Sequence, residues 1–247
     1  MNADARVPLI ETRGLTLRAA GRTLVHALDW RAERGQRWCV IGRNAAGKSS
    51  LLRALAGLPV ADAAPSQGQV LWLGRAAADW PAGDSASVRA FMPQQMSDRF
   101  AIPVARLLEL SCVSPQHDAR VVLAALDASA LAERSVLQLS GGERQRIALA
   151  QCAVQGAPLL LLDEPVAFQD PAHQMQVARW LATLREHALV ISAHDVNWIV
   201  RAATHVLALL PDGACEQGTA AQMLRAPLLA RVYGCAWRDV GGVWVAD

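Results

Sequence analysis

A short apolar run, Trp38-Cys39-Val40-Ile41, stops at a glycine and leads into Gly42-Arg43-Asn44-Ala45-Ala46-Gly47-Lys48-Ser49. The helical stretch Ser50-Leu51-Leu52-Arg53-Ala54-Leu55-Ala56 follows, with Gly57 as its stop. The loop fits G-x-x-x-x-G-K-[ST]. Its glycines let backbone N–H groups converge on phosphate oxygens, and the helix N-terminus behind them adds partial positive charge. An ordinary glycine turn is the bland alternative, and the strand–loop–helix context argues against it. A buried strand, a phosphate loop and a helix commit the chain to an α/β nucleotide-binding core. Lys48 should reach the β- and γ-phosphates, and Ser49 should ligate Mg²⁺. Lys48 is the only lysine among 24 basic residues, so chemistry explains its position better than solubility does.

At 247 residues the chain can bury a full core in one or two domains. Hydrophobic residues make up 53% and charged residues 19%, which excludes a disordered chain. The net charge is +2 with no dense basic tract, so nucleic acid is not an expected partner. The five cysteines have no CxxC spacing, which argues against a disulfide framework or structural zinc. Met1 to Pro8 holds no apolar segment of the signal-peptide kind, and no apolar run approaches the roughly 20 residues a membrane span needs. The chain is therefore expected to be soluble and to reach a membrane only through a partner.

Alternation with glycine punctuation over Val7 to Trp30 predicts short strands, and another strand is expected over Gln69 to Leu73. Helical patterns at Val104–Ser111 and Ala119–Ala130, with loops containing Pro103 and Pro115, read as a small helical insertion over residues 94–138. Ser140 should open a helix running to about Val154. Leu159–Leu162 and Leu189–Ser192 have strand length, with a helix over Pro171–His187 between them. Strands alternating with helices imply a mostly parallel sheet covered on both faces. The expected division is one domain over 1–247. Its core is 1–93 with 139–210, its insertion 94–138, and 211–247 ends in a helix and a hairpin turning on Gly241-Gly242.

Four other segments carry potential chemistry. Ser140-Gly141-Gly142-Glu143 has the S-x-x-E spacing of a capping box. A capped helix start with two glycines is also an anion site, because the N–H groups of Gly141 and Gly142 are uncovered. Asp163-Glu164 stands at the C-terminal end of an apolar strand, where α/β folds bind ligands. Gln94 after Phe91-Met92-Pro93, and His194 after Ile191-Ser192-Ala193, mean little alone. An exposed loop glutamine and a structural histidine are the plain readings.

In this order along one chain, with Asp170 between Glu164 and His194, these segments resemble the ATP-hydrolysing subunits of ABC transporters. Leu139-Ser140-Gly141-Gly142-Glu143-Arg144-Gln145-Arg146 looks like that family's signature, and the likeness spans about residues 9 to 230. It implies a P-loop NTPase core with a mostly parallel sheet, antiparallel strands near the N-terminus and a helical insertion. It also implies that Gly42, Arg43, Asn44, Ala45, Ala46, Gly47, Lys48, Ser49 and Ser50 hold ATP. Ser140, Gly141 and Gly142 contact the γ-phosphate of ATP on an opposing subunit. Ser49, Gln94 and Asp163 serve Mg²⁺, Glu164 acts on the attacking water, and His194 bonds the γ-phosphate.

The implied partners are a second copy arranged head to tail, an integral-membrane permease and, indirectly, a periplasmic or extracellular substrate-binding protein. The implied location is the cytoplasmic face of the inner membrane. Three departures stand out. Ala45 replaces a usual glycine, tolerable if its φ is negative. Val166-Ala167-Phe168-Gln169 replaces the usual Thr-Ser-Ala-Leu. The aromatic that stacks on adenine has no counterpart at Ala19 or Ala20, so ATP and GTP should be poorly distinguished and Ala20→Tyr should tighten ATP. Arg18 or Arg22 is positioned in sequence to lay a guanidinium on the ring instead.

The loop Met96–Val104 lies where this family docks its membrane partner. That loop and the ending Leu228-Leu229-Ala230-Arg231-Val232-Tyr233-Gly234 are similar to importers of cobalamin, haem and ferric siderophores. Gln94-Gln95 and Phe100-Ala101-Ile102-Pro103-Val104 lean towards cobalamin. An exporter ATPase and a non-transport ABC protein of nucleic-acid repair or translation are the competing readings. The lack of fused membrane helices counts against the first, and the single ATPase unit against the second.

Overall fold

The computed structural model describes residues 7–64, 66–96, 100–113 and 118–247. Its N-terminal part is a long hairpin of β1 (Ile10–Ala19) and β2 (Arg22–Ala32). These strands are longer than the punctuated sequence suggests. Gly14 does not end β1; it is absorbed in a register shift between Thr12 and Leu15, as a bulge absorbs an extra residue. With β4 (Gln67–Trp72) and β5 (Arg75–Ala76) the hairpin makes an antiparallel sheet ordered β2-β1-β4-β5.

The second sheet holds β3 (Arg37–Ile41), β6 (Arg89–Met92), β7 (Leu159–Asp163), β8 (Ala188–Ser192), β9 (His205–Leu209) and β10 (Cys215–Thr219). Among the described residues its order is β10-β9-β3-β8-β7-β6, parallel throughout except for β9 with β10. Strands β7 and β8 are buried along their full length. A strand covered on both faces needs no polar side, which is why both read as unbroken apolar runs. The pleat still sorts them: Leu160 and Leu162 enter one core, Leu159 and Leu161 the other.

On one face α1 (Lys48–Leu55) buries Leu51, Leu52 and Leu55 between the two sheets. Its C-terminal end is closed by the Trp72 indole N–H, which donates to the Leu55 carbonyl at 2.9 Å. The short α2 (Ala82–Val88) leads into β6. The other core gathers α3 (Val104–Ser111), α4 (Ala119–Ala125), α5 (Gly141–Gln155), α6 (Pro171–Thr183) and α7 (Val196–Ala202). There α4 stops short of the expected Ala130, because Asp127 turns left-handed at φ 50°. Likewise α6 stops at Thr183 rather than His187.

The loop after Gln94 is expected to dock a partner, yet part of it turns inward. Met96 and Ile102 pack partly buried against this core, and Val104 is fully buried. Phe100 stays outside, 75% exposed, as do Ala101 and Pro103. Residues 97–99 and Pro115 lie outside the described residues. After α8 (Ala220–Met223) and α9 (Ala226–Tyr233), the strands β11 (Trp237–Val240) and β12 (Val243–Ala246) pair as read from the Gly-Gly turn. Gly241 and Gly242 take φ 63° and 86°, as a two-residue hairpin turn requires. Asn197 of α7 pins β12 by exchanging two hydrogen bonds with the Trp244 backbone, at 3.0 and 2.7 Å. No helix among the described residues is long and apolar enough to cross a membrane.

Candidate functional site

The parallel sheet brings the ends of β3, β7 and β8 side by side, so that the phosphate loop, Asp163-Glu164 and His194 emerge at one edge. The loop, Glu164 and His194 line an open cleft of about 540 Å³ with Gln94 and, from the β1–β2 hairpin, Ala19, Ala20, Arg22 and Leu24, while Asp163 lies buried behind it. Gly42, Arg43 and Ala46 are not among the cleft's lining residues, whereas Asn44, Ala45, Gly47, Lys48, Ser49 and Ser50 are.

Gly47 has φ 99°, and a Cβ there would stand 2.9 Å from that of Leu24. Both conformation and space therefore demand glycine at 47. Ala45 also lies in the left-handed region, at φ 59°, contrary to the negative φ under which it would be unstrained. A left-handed alanine costs on the order of 1 kcal/mol. Lys48 is 5% exposed, and its ammonium folds back onto the carbonyls of Gly42 at 3.0 Å and Arg43 at 3.1 Å. Burial lowers its pKa, while the carboxylates of Glu164 and Asp163 pull it back up.

The two carboxylates are held by side chains that local sequence did not single out. Ser192, at the end of β8, donates its hydroxyl to Asp163 at 2.5 Å and accepts the Glu164 N–H at 2.9 Å. Gln145, 4% exposed on α5, donates to the Glu164 carbonyl at 2.7 Å. Glu164 itself turns left-handed at φ 51°, which is uncommon for a side-chain-bearing residue. Its carboxylate lies between Gln94, whose Nε2 donates at 2.9 Å, and His194, whose Nε2 faces Oε1. The signal for Ser192 and Gln145 was a polar residue on an otherwise apolar strand and helix face, readable only once burial is known.

Removing the Ser192 hydroxyl strands a buried carboxylate oxygen and a backbone N–H. Ser192→Ala should lower stability by about 1–3 kcal/mol in urea unfolding. An unchanged midpoint would mean that solvent already satisfies both groups.

Ser140, Gly141 and Gly142 lie elsewhere. With Glu143, Arg146, Phe168, Gln169, Asp170 and His173 they line a second open cavity, of about 410 Å³. Among the described residues the two cavities share no lining side chain. The capping box is present: Ser140 Oγ accepts the Glu143 N–H, and Glu143 accepts the Ser140 N–H at 2.8 Å. Those backbone and hydroxyl contacts with Ser140, more than the Arg134 guanidinium 2.7 Å away, lower the Glu143 pKa. Gly142 cannot be larger, because a Cβ would meet the Phe168 carbonyl at 2.9 Å. Phe168 is left-handed at φ 60° and 79% exposed, a large apolar ring standing out beside the two glycines. Asp170 caps α6 through the His173 N–H at 3.0 Å and binds the His173 ring at 2.7 Å.

A model of the ABC transporter family matches residues 25–167. The hemin import ATP-binding protein HmuV of Pseudomonas aeruginosa is 37% identical over 241 residues, covering 92% of each chain. Its namesake from Gloeobacter violaceus is 39% identical over 224 residues, covering 83% of this chain and 79% of that one. Among solved structures, a metal-chelate type ABC transporter in an inward-facing conformation aligns with TM-score 0.75 over 97% of this chain and 96% of that chain, at 22% identity. An ATP-bound bacterial Atm1-family exporter aligns with TM-score 0.76 over 91% of this chain and 41% of that one, also at 22%. At such identity the two structures speak for the fold alone.

Proposed function

The chain belongs to the ABC transporter family, and on that footing we propose that it is the ATP-hydrolysing subunit of a bacterial metal-chelate importer. It acts in pairs on a separate membrane permease. The observation that carries the paired arrangement is the division of the site. Lys48 and the Ser140 glycines line separate cavities of one chain, so a complete site takes one cavity from each of two copies. Such a head-to-tail exchange is self-complementary about a twofold axis.

Within this reading the chain is one domain with a helical insertion over 94–138. The backbone of Gly42, Arg43, Asn44, Ala45, Ala46 and Gly47, with Lys48, Ser49 and Ser50, holds the ATP phosphates. Gly141 and Gly142 of the facing copy, together with Ser140, cap the γ-phosphate. The oxygen donors of Ser49, Asp163 and Gln94 suit Mg²⁺, a hard ion usually bound through one or two protein groups plus phosphate. Bound there, Mg²⁺ would neutralise charge on the phosphates. Glu164 polarises the attacking water, and Gln94 and His194 orient its carboxylate. Haem is the cargo the relatives favour, where the loop residues had leaned towards cobalamin. The protein then works at the cytoplasmic face of the inner membrane, with a substrate-binding protein on the far side. Purified protein should hydrolyse ATP, and its deletion should abolish growth on haem as sole iron source. ATP turnover without such a growth defect would leave the engine and remove the cargo.

Permease docking is assigned to the surface around Phe100. The same loop contributes Met96 to a cavity of about 300 Å³ that Leu110 and Val113 also line, and these two are 64% and 51% exposed. Phe100→Asp should abolish co-purification with the permease while ATP affinity stays within about twofold, because Phe100 does not line the nucleotide cleft. A mutant that still co-purifies would move the docking site elsewhere.

A further inference from the structure

The phosphate half of the cleft is accounted for by the loop and its lysine; the base half is not. The lining residues left without a role at the phosphates, Mg²⁺ or the attacking water are Ala19, Ala20, Arg22 and Leu24, from the β1–β2 hairpin. None is aromatic, and Arg22 alone among them carries a planar group. Among the described residues Arg22 has no ion pair or hydrogen bond through its side chain, and it is exposed. Arg18 does not line the cleft, so the hairpin register separates the two arginines that sequence left equal. Arg22 opens β2 directly across from Ala19, which brings its stem to the mouth of the cleft. Its neighbours Ala20 and Gly21 form the turn with φ 48° and 73°, so the turn itself offers no surface for a ring.

We propose that Arg22 is the base-recognising residue of this site, its guanidinium lying flat on the purine of the bound nucleotide. A guanidinium is planar, weakly hydrated and attracted to the face of an aromatic ring. It stacks on any purine, so adenine and guanine should be held with similar strength. The inference rests on the ATP-binding reading above and adds to it the residue that holds the base. It also corrects the expected gain at position 20: a tyrosine there would be forced into the left-handed turn, whereas Ala19 is an extended strand residue where an aromatic is favoured.

Calorimetric titration of wild type, Arg22→Ala, Arg22→Lys and Arg22→Tyr with ATP, GTP and inorganic tripolyphosphate tests it. Arg22→Ala should weaken ATP and GTP roughly 2- to 30-fold, the range for a cation over a ring, and leave tripolyphosphate unchanged. Arg22→Tyr should restore nucleotide affinity and Arg22→Lys should not, since lysine keeps the charge and loses the plane. Nucleotide affinity unchanged in Arg22→Ala, or full rescue by lysine, overturns the proposal. Tripolyphosphate weakened as much as ATP also overturns it, by making Arg22 a phosphate contact. Wild type that binds no nucleotide would instead overturn the ATP-binding reading itself.

Discussion

Glu164→Gln is expected to bind ATP with wild-type affinity and to hydrolyse it at least about a hundredfold more slowly, the usual lower bound for losing a general base. Glutamine keeps the size of the side chain and loses its capacity to take a proton. The backbone of Glu164 is fixed independently of that carboxylate. Ser192 accepts its N–H, and Gln145 donates to its carbonyl. The left-handed turn at φ 51° survives the change, because glutamine has the same branching at Cβ. The defect should therefore be chemical rather than architectural, and ATP that cannot be cleaved should hold the two copies together. Size-exclusion chromatography with ATP should show a dimer for the mutant and mostly monomer for wild type once its ATP is spent. Wild-type turnover from Glu164→Gln would remove this residue from the chemistry.

The same residue shows how far the sequence reaches. An apolar strand ending in two carboxylates was legible because β7 is covered on both faces and has no polar side to blur the pattern. The phosphate loop, the capping box and the Gly-Gly hairpin were legible for a similar reason: each needs particular residues within a few positions of one another. Ser192 and Gln145 were not, because their partner is 28 or 19 residues away and only the sheet order brings them together. Ala45 misled in the other direction. Alanine favours negative φ, yet the loop holds it at 59°. The surrounding geometry overrides a local preference worth on the order of 1 kcal/mol. Which apolar residues after Gln94 turn inward was not legible, because a short run without periodicity does not say. Val104 does and Phe100 does not.

Mixing two dead mutants should restore activity if the site is shared between copies. Lys48→Ala removes the ammonium that donates to the carbonyls of Gly42 and Arg43 and is attracted by the carboxylates at the end of β7. Ser140→Arg fills the second cavity and removes the hydroxyl that caps α5. Each homodimer then lacks both composite sites. In the heterodimer one site combines the intact Lys48 of one copy with the intact Ser140 of the other, and the second site carries both lesions. Random pairing makes half the dimers mixed, each with one site of two intact, so about a quarter of wild-type ATPase should return if sites act independently. Strong coupling between the two sites would lower that figure without abolishing it. The loss of the Ser140 cap costs about 1 kcal/mol of helix stability, so the Ser140→Arg chain should be checked for a cooperative unfolding transition before mixing. Refolded mixtures with no activity above the separate mutants, although heterodimers form, would place the whole site within one chain. The two cavities would then have to be joined by a rearrangement inside the subunit rather than by its partner.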